Sequence, residues 1–251
     1  MLKKIVSLFH REPKDEESNA IVSASKPKSE RQDSRPPFKR AIEKGNFFSN
    51  RGAKKLEGRV SVQGNANRII VHEGASLKGV VSIKGNNNRV IFGRDSRYQG
   101  NILVKGDGLT VSFGHHSTTV DVYILAQEGS VSIGPHCMFS REIEIRTTDA
   151  HSVIDRATGA RINPGKSIKI GGHVWVGVGA IINKGANIPD DCIVGAMSFV
   201  NKNFDEEGVA LAGSPAEVVK RGVTWSRFRQ DKFTEAEMTS WKSTAKPTPS
   251  S

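Results

Sequence analysis

The residues best suited to proton transfer lie in one polar stretch, TTDAHSVIDRATGARINPGKS, residues 147–167. His151 stands out among them. An imidazole with an ordinary pKa of about 6.5 can take a proton from a hydroxyl near neutral pH. Asp149, two residues earlier, could orient that ring or could simply turn the chain; a two-residue separation on a loop does not fix a contact. Trp175 follows His151 by 24 residues, within His-Val-Trp-Val-Gly, 173–177. His115-His116 starts a turn and reads as a polar corner rather than a metal pair. Cys137 and Cys192 have no base beside them in sequence and read as structural. Two cysteines make neither a zinc quartet nor a disulfide framework, so no metal is expected.

The elements that must position these residues are repeats. Gly64, Gly85 and Gly106 recur at one fixed step of 21, and Asn67-Arg68 and Asn88-Arg89 recur at the same step. Phe92-Gly93 returns as Phe113-Gly114 and, one residue early, as Ile133-Gly134. Short alternating apolar runs with Asn/Gly corners at a fixed period read as a solenoid. From Ile133 the step tightens to six: Ile133, Phe139 and Ile145, then Ile170, Val176, Ile182, Ile188, Val194 and Val200. A six-residue step turns one apolar side chain inward on each face of a three-sided coil, whereas a helix would want a step of about 3.6. Stacked coils of this kind bury a continuous apolar column between parallel sheets. The 21-residue period alone also fits a right-handed helix; the hexapeptide section decides for left. Between Ile145 and Ile170 the step is 25, which leaves 7 residues beyond one 18-residue coil. A loop therefore leaves the prism at about 147–167, where a rigid scaffold would present functional groups.

At this point the chain resembles the left-handed β-helix, hexapeptide-repeat acyltransferases, over about 59–221. The likeness is strongest in SIGPHCMFSREIEIRTTDAHSVID, INPGKSIKIGGHVWVGVGAIINKGANIP, CIVGAMSFVNK and AGSPAEVVKRGVTWSR. It looks most like the branch that O-acetylates sugars and capsular or other bacterial surface polysaccharides. The resemblance implies acetyl-CoA as donor, no metal, a homotrimer with sites between subunits, and direct transfer to the acceptor. By the same resemblance His151 is the general base. Trp175, which it places both in the catalytic set and against the cofactor, or a nearby backbone N–H would serve the developing oxyanion. Gly177, Gly195, Ala196, Ser198 and Lys202 would meet the pantetheine arm, and Lys202, Lys220 and Arg221 suit the CoA phosphates. Gly195 and Ala196 also serve the coil whatever binds. Glu217 departs from the family's Gly-x-Pro-Ala-basic motif and puts one phosphate contact in doubt. His173 is expected to line the groove, and Arg141, Arg146 and Arg161 to meet an acidic sugar. The β-helical carbonic anhydrases share the fold but use a histidine pair spaced by five; Arg156 stands where that second histidine would be. N-acetylation of an amino sugar is the alternative chemistry on this scaffold, and a non-catalytic β-helical protein the alternative class.

Composition sets the frame. The 251 residues carry 37 Lys+Arg against 26 Asp+Glu, a net charge of +11. Residues 1–58 hold 14 basic and 8 acidic residues, so more than half of the excess sits in the first quarter. That quarter is polar, and 12–57 reads as a disordered tether that cannot bury enough apolar surface to order itself. No nucleic-acid motif accompanies the charge, so no nucleic-acid partner is expected. Leu2, Ile5, Val6 and Phe9 among basic residues could form a short amphipathic helix at 1–11, giving weak association with an anionic membrane surface. The longest charge-free run, Ile170–Asn183, is rich in glycine and falls short of the roughly 20 apolar residues that span a bilayer. The expectation is thus an all-β chain. Tail 1–58 precedes a left-handed parallel β-helix over 59–204. A cap over 205–251 carries short helices near Pro215–Arg221 and Thr234–Lys242 and a disordered STAKPTPSS end. The expected location is cytoplasmic, with a peripheral position at the inner membrane face as the alternative.

Overall fold

The computed structural model describes residues 38–244; the amphipathic start, the tether through residue 37 and residues 245–251 lie outside the described residues. Eight strands occupy the 21-residue repeats: β1 (Lys39–Ile42), β2 (Phe47–Asn50), β3 (Lys55–Gln63), β4 (Arg68–Val71), β5 (Ser76–Lys84), β6 (Arg89–Phe92), β7 (Arg97–Lys105) and β8 (Thr110–Phe113). Shorter strands follow as the coils tighten: β9 (Thr118–Thr119), β10 (Val122–Gln127), β11 (Val131–Ile133), β12 (Met138–Phe139) and β13 (Ile143–Arg146). After the loop come β14 (Ile168–Ile170), β15 (Trp175–Val176), β16 (Ile181–Asn183), β17 (Asn187–Ile188), β18 (Ile193–Val194) and β19 (Phe199–Val200). The chain closes with β20 (Val209–Gly213), β21 (Ala216–Arg221) and the helix α1 (Glu235–Thr244).

These strands stack into a parallel β-solenoid of three faces. β2, β4, β6, β8, β11, β14 and β17 make the third face. The larger sheet forks at β7, which pairs β9 through Arg97 and β10 through Gly100–Lys105. Its two arms are the first face (β9, β12, β15, β18, β20) and the second (β10, β13, β16, β19). The nine-residue strands β3, β5 and β7 serve both faces by turning at Gly58, Gly79 and Gly100, all at positive φ. A Cβ on Gly79 would lie 1.8 Å from the carbonyl oxygen of Gly100, so only glycine lets the coils close here.

The hexapeptide positions form the core as expected. Ile133, Phe139, Ile145, Ile170, Val176, Ile182, Ile188, Val194 and Val200 are all buried. In the wider early coils the column is filled by larger rings, Phe92, Tyr98 and Phe113, and Phe139 continues it into the hexapeptide section, with successive centroids 5.4–6.3 Å apart. The Tyr98 hydroxyl donates to the carbonyl of Val122 at 2.9 Å, which satisfies the polar tip of a buried ring. Asparagines close the corner between the second and third faces. Asn46, Asn67 and Asn88 stack one coil apart; the side-chain oxygens of Asn46 and Asn67 each accept from the next asparagine's amide and backbone N–H, and that of Asn88 accepts from the Leu109 N–H.

Two boundaries need correction. The solenoid begins at Lys39, not 59, so the expected tether ends before the first strands. Composition misled here because an end coil borrows its order from its neighbour: Phe47, Arg51 and Lys54 donate backbone N–H groups to Asn67, Val71 and Ala75. The expected helix near Pro215–Arg221 is instead β21, antiparallel to β20, which itself extends the first face by pairing β18. The other expected helix is α1. Thr234 caps it, exchanging hydrogen bonds with Glu237 through its backbone N–H and hydroxyl, a capping box.

Candidate active site

The loop at 147–167 leaves from the corner between the second and third faces and is longer than the sequence arithmetic implied. Ile145 pairs in register with Ile182, so this one turn takes slightly more chain than two ordinary coils. The insertion therefore exceeds a whole coil in length and is not the short remainder that the step from Ile145 to Ile170 implied. Ile145 and Ile170 lie on successive faces, one six-residue step apart on the grid, and the insertion is everything else. Thr147 and Thr148 are buried at its stem. The Thr147 hydroxyl donates to the carbonyl of Gln127 at 2.7 Å and accepts from its N–H at 2.8 Å.

Further out, the loop is braced by polar residues that sequence reasoning missed. The Asn163 amide donates to Asp149 Oδ2 at 2.8 Å and to the His151 carbonyl at 2.9 Å. Its Oδ1 accepts from the Val153 N–H at 2.6 Å. Lys184, from the next coil, pairs with Asp149 and donates to the Asn163 carbonyl at 3.1 Å. The Lys184 hydrogen bond, followed by that of Asn163, holds the Asp149 carboxyl below its ordinary pKa. Glu128 accepts from Gly165 N–H at 2.9 Å and pairs with Arg161 at 3.0 Å; those contacts lower its pKa in that order. Asp149 Oδ2 is thus held by Lys184 and Asn163, and among the described residues no hydrogen bond joins the carboxylate to the His151 ring. It reaches His151 only through the backbone that Asn163 holds. The imidazole itself is exposed. No short sequence signal marks Asn163 or Lys184, because their roles depend on which coil stacks on the loop stem.

Asn163→Ala removes four hydrogen bonds from an exposed loop, each worth at most about 1 kcal/mol net. The expected result is at least a tenfold faster protease cleavage within 150–165, with the melting temperature lowered by only a few degrees. Limited proteolysis beside a thermal melt checks this.

Trp175 lies on the first face, between Met138 and Ile193 of the adjoining coils, and is 39% exposed. In a three-sided prism the corner that carries His151 is across the core from that face. The solenoid thus does not bring His151 and Trp175 together within one chain. His173 does not line a groove. It is buried, with Nδ1 2.8 Å from Asp191 Oδ1. Its ring is stacked between Trp225 at 4.4 Å and Trp241 at 4.8 Å. Trp225 also donates its indole N–H to the His173 carbonyl at 2.7 Å. His173 anchors the C-terminal segment, and both tryptophans that claim it are remote from it in sequence.

The remaining expected residues divide. Arg146 ends the second-face strand at the loop stem and pairs with Glu144 at 3.3 Å. Arg141 pairs with Glu142. A Cβ on Gly177 would meet the backbone N of Ala196 at 2.7 Å, and one on Gly195 would meet Ala212 at 3.1 Å; both glycines serve coil stacking. Ala196 is exposed beside them, while Ser198 is buried and its Oγ has no hydrogen-bond partner among the described residues. Lys202 pairs with Glu217, the residue that departs from the family pattern. Arg221 pairs with Glu206 at 3.0 Å, and Lys220 is exposed on β21. His115, His116 and His136 pack as a corner cluster with ring centroids 5.0–5.4 Å apart. Burial, then the neighbouring histidines, push His136 down to about 4. Among the described residues no group of three or more His, Cys, Asp or Glu is placed to hold a metal ion.

No protein-family model matches the chain. It is similar to a polysialic acid O-acetyltransferase of Neisseria meningitidis, 33% identical over 103 residues, 41% of this chain and 48% of that one. It is also similar to a galactoside O-acetyltransferase of Lactococcus lactis, 34% identical over 107 residues, 42% of this chain and 49% of that one. The alignments thus span about half the length of these curated relatives. Among solved structures, the polySia specific acetyltransferase NeuO superposes with a TM-score of 0.76 at 28% identity, over 82% of this chain and 98% of that one.

Proposed function

We propose that this chain is an acetyl-CoA-dependent O-acetyltransferase that acts on a hydroxyl of a sugar in an anionic bacterial surface polysaccharide. The observation that carries the reading is a solenoid that aligns over nearly the whole of a polysialic-acid acetyltransferase and interrupts its coil once, to display His151. Acetyl-CoA supplies an activated thioester. His151 takes the proton of the attacking hydroxyl as the new C–O bond forms, and the imidazolium returns it to the departing thiol sulfur. The Trp175 indole N–H or a neighbouring backbone N–H donates to the carbonyl oxygen as it gains charge. No acyl group passes through the protein.

The late coils fit such a donor. Ala196 is exposed beside Gly177 and Gly195, and Lys220 is exposed with no carboxylate partner among the described residues. Lys202 would reach a phosphate only by leaving Glu217. Because His151 and Trp175 sit on opposite sides of the prism, their cooperation requires two copies, which supports a homotrimer with sites between subunits. A cytoplasmic setting accords with Cys137 and Cys192 as free, buried thiols. No described helix is long and apolar enough to cross a membrane.

The test is release of CoA thiol from acetyl-CoA by the purified full chain across a panel of hydroxyl and amine acceptors. Acceptor-dependent release with hydroxyl sugars is expected. Release that depends on amino sugars alone would move the reading to N-acetylation, and no release with any acceptor would end it.

A further inference from the structure

One column of side chains runs along the prism outside the residues discussed so far. Phe47 pairs in register with Arg68, Arg68 with Arg89, and Arg89 with Thr110. The Thr110 N–H then donates to the Ser130 hydroxyl at 3.0 Å, and the Ser130 N–H to the Ser167 hydroxyl at 3.0 Å. Ser167 is the last residue of the His151 loop. The column is therefore an aromatic ring, two guanidinium groups and three hydroxyl residues in line, ending at the candidate site.

Its far end is a cleft of about 460 Å³ that includes Phe47, Ala66, Arg68, Asn87 and Arg89. Phe47 is 60% exposed, and both arginines are exposed. Neither guanidinium has a carboxylate partner among the described residues. The nearby acids are committed to backbone: Glu43 accepts from the Gly64 N–H and Asp107 from the Asn86 N–H. Like charges directly opposite on adjacent strands destabilise a sheet. Here two arginines without carboxylate partners face one another at the strand spacing of about 4.8 Å. An anion between them removes that repulsion and gains charge-assisted hydrogen bonds from both. An exposed aromatic ring one strand further offers an apolar platform for a sugar face.

We infer that this column is the track of an anionic polysaccharide, with Arg68 and Arg89 receiving the acid groups of sugars remote from the one acetylated. The inference rests on the acetyl-transfer reading of the loop. Three strand steps separate Arg89 from Ser167 and four separate Arg68, roughly 14 and 19 Å at the usual spacing. A single sugar ring cannot bridge that distance, so the column selects for polymer length as well as charge. The arginines position the acceptor and take no part in the chemistry.

The test compares the wild type with the Arg68→Gln/Arg89→Gln double variant in the full chain, using polysialic acid and a short sialic acid oligomer as acceptors. The ratio of kcat/KM for polymer over oligomer is expected to fall at least tenfold in the variant, through KM rather than kcat. Direct binding of immobilised polysialic acid, measured without acetyl-CoA, is expected to weaken by a similar factor and to lose much of its salt dependence. Neutral dextran serves as the control ligand. An unchanged length preference with unchanged polymer binding overturns the track. So does a variant that keeps its polysialic acid binding but loses binding to duplex DNA. If the wild type turns over no acceptor, the acetyl-transfer reading falls, and the binding arm still decides the column. Both sites are exposed, so a thermal melt within a few degrees of wild type confirms that folding is intact.

Discussion

Replacing His151 with alanine is expected to lower kcat for acetyl transfer by roughly 10²–10⁴-fold, the usual contribution of a positioned general base. The ring is exposed on a loop whose stem is fixed by Thr147 and whose outer part is braced by Asn163, Lys184 and Glu128. None of those contacts uses the imidazole, so the substitution leaves the loop and solenoid in place. Acetyl-CoA binding, assigned to the late coils, should stay within about twofold of wild type. Turnover and equilibrium binding measured on the same preparation separate the two effects. A variant that retains wild-type kcat would remove His151 from the mechanism. The Asn163→Ala variant gives the companion result, a loosened loop in which the base is present but misplaced.

The largest effect on folding is expected at Asn88. Its amide donates to the Gly106 carbonyl at 2.7 Å and to Asn67 Oδ1 at 3.0 Å, and its Oδ1 accepts from the Leu109 N–H at 2.9 Å. The side chain is fully buried. Asn88→Leu leaves a buried carbonyl and a buried N–H without partners, each costing about 1–3 kcal/mol. The total, on the order of 3–5 kcal/mol, should lower the melting temperature by about 10 °C for a domain of this size. Asn86→Ala, one corner position away and exposed, should cost under about 1 kcal/mol. Thermal melts of the two variants side by side give the comparison. Similar losses would mean that the asparagine ladder is not what closes these coils.

The core was legible because a solenoid writes its geometry into local spacing. Ile133 to Ile145, and again Ile170 to Val200, fall inward because each stands six residues from the last, and the Asn67 and Asn88 corners repeat because their coils do. The loop was legible as an interruption of that grid, and His151 as an exposed imidazole displayed within it. What escaped depends on contacts between distant segments. Asp149 lies two residues from His151 but is claimed by Lys184 of the next coil. His173 looked like a groove residue until Trp225 and Trp241 folded back over it. The first coil, 39–58, is polar enough to pass for a linker and is ordered by backbone hydrogen bonds to the coil after it. The Arg68–Arg89 pair was visible as a repeat. That it is exposed, unpaired and in line with Ser167 follows only from the strand register.

The most direct measurement follows acetyl-labelled CoA into the polymer. The purified chain is incubated with labelled acetyl-CoA and polysialic acid, the polymer is isolated, and half is treated with mild base. Label is expected on the polymer in a form that mild base releases, as an ester does, in a one-to-one ratio with free CoA thiol. Label that resists mild base, or a folded protein that leaves the polymer unlabelled, would contradict O-acetyl transfer.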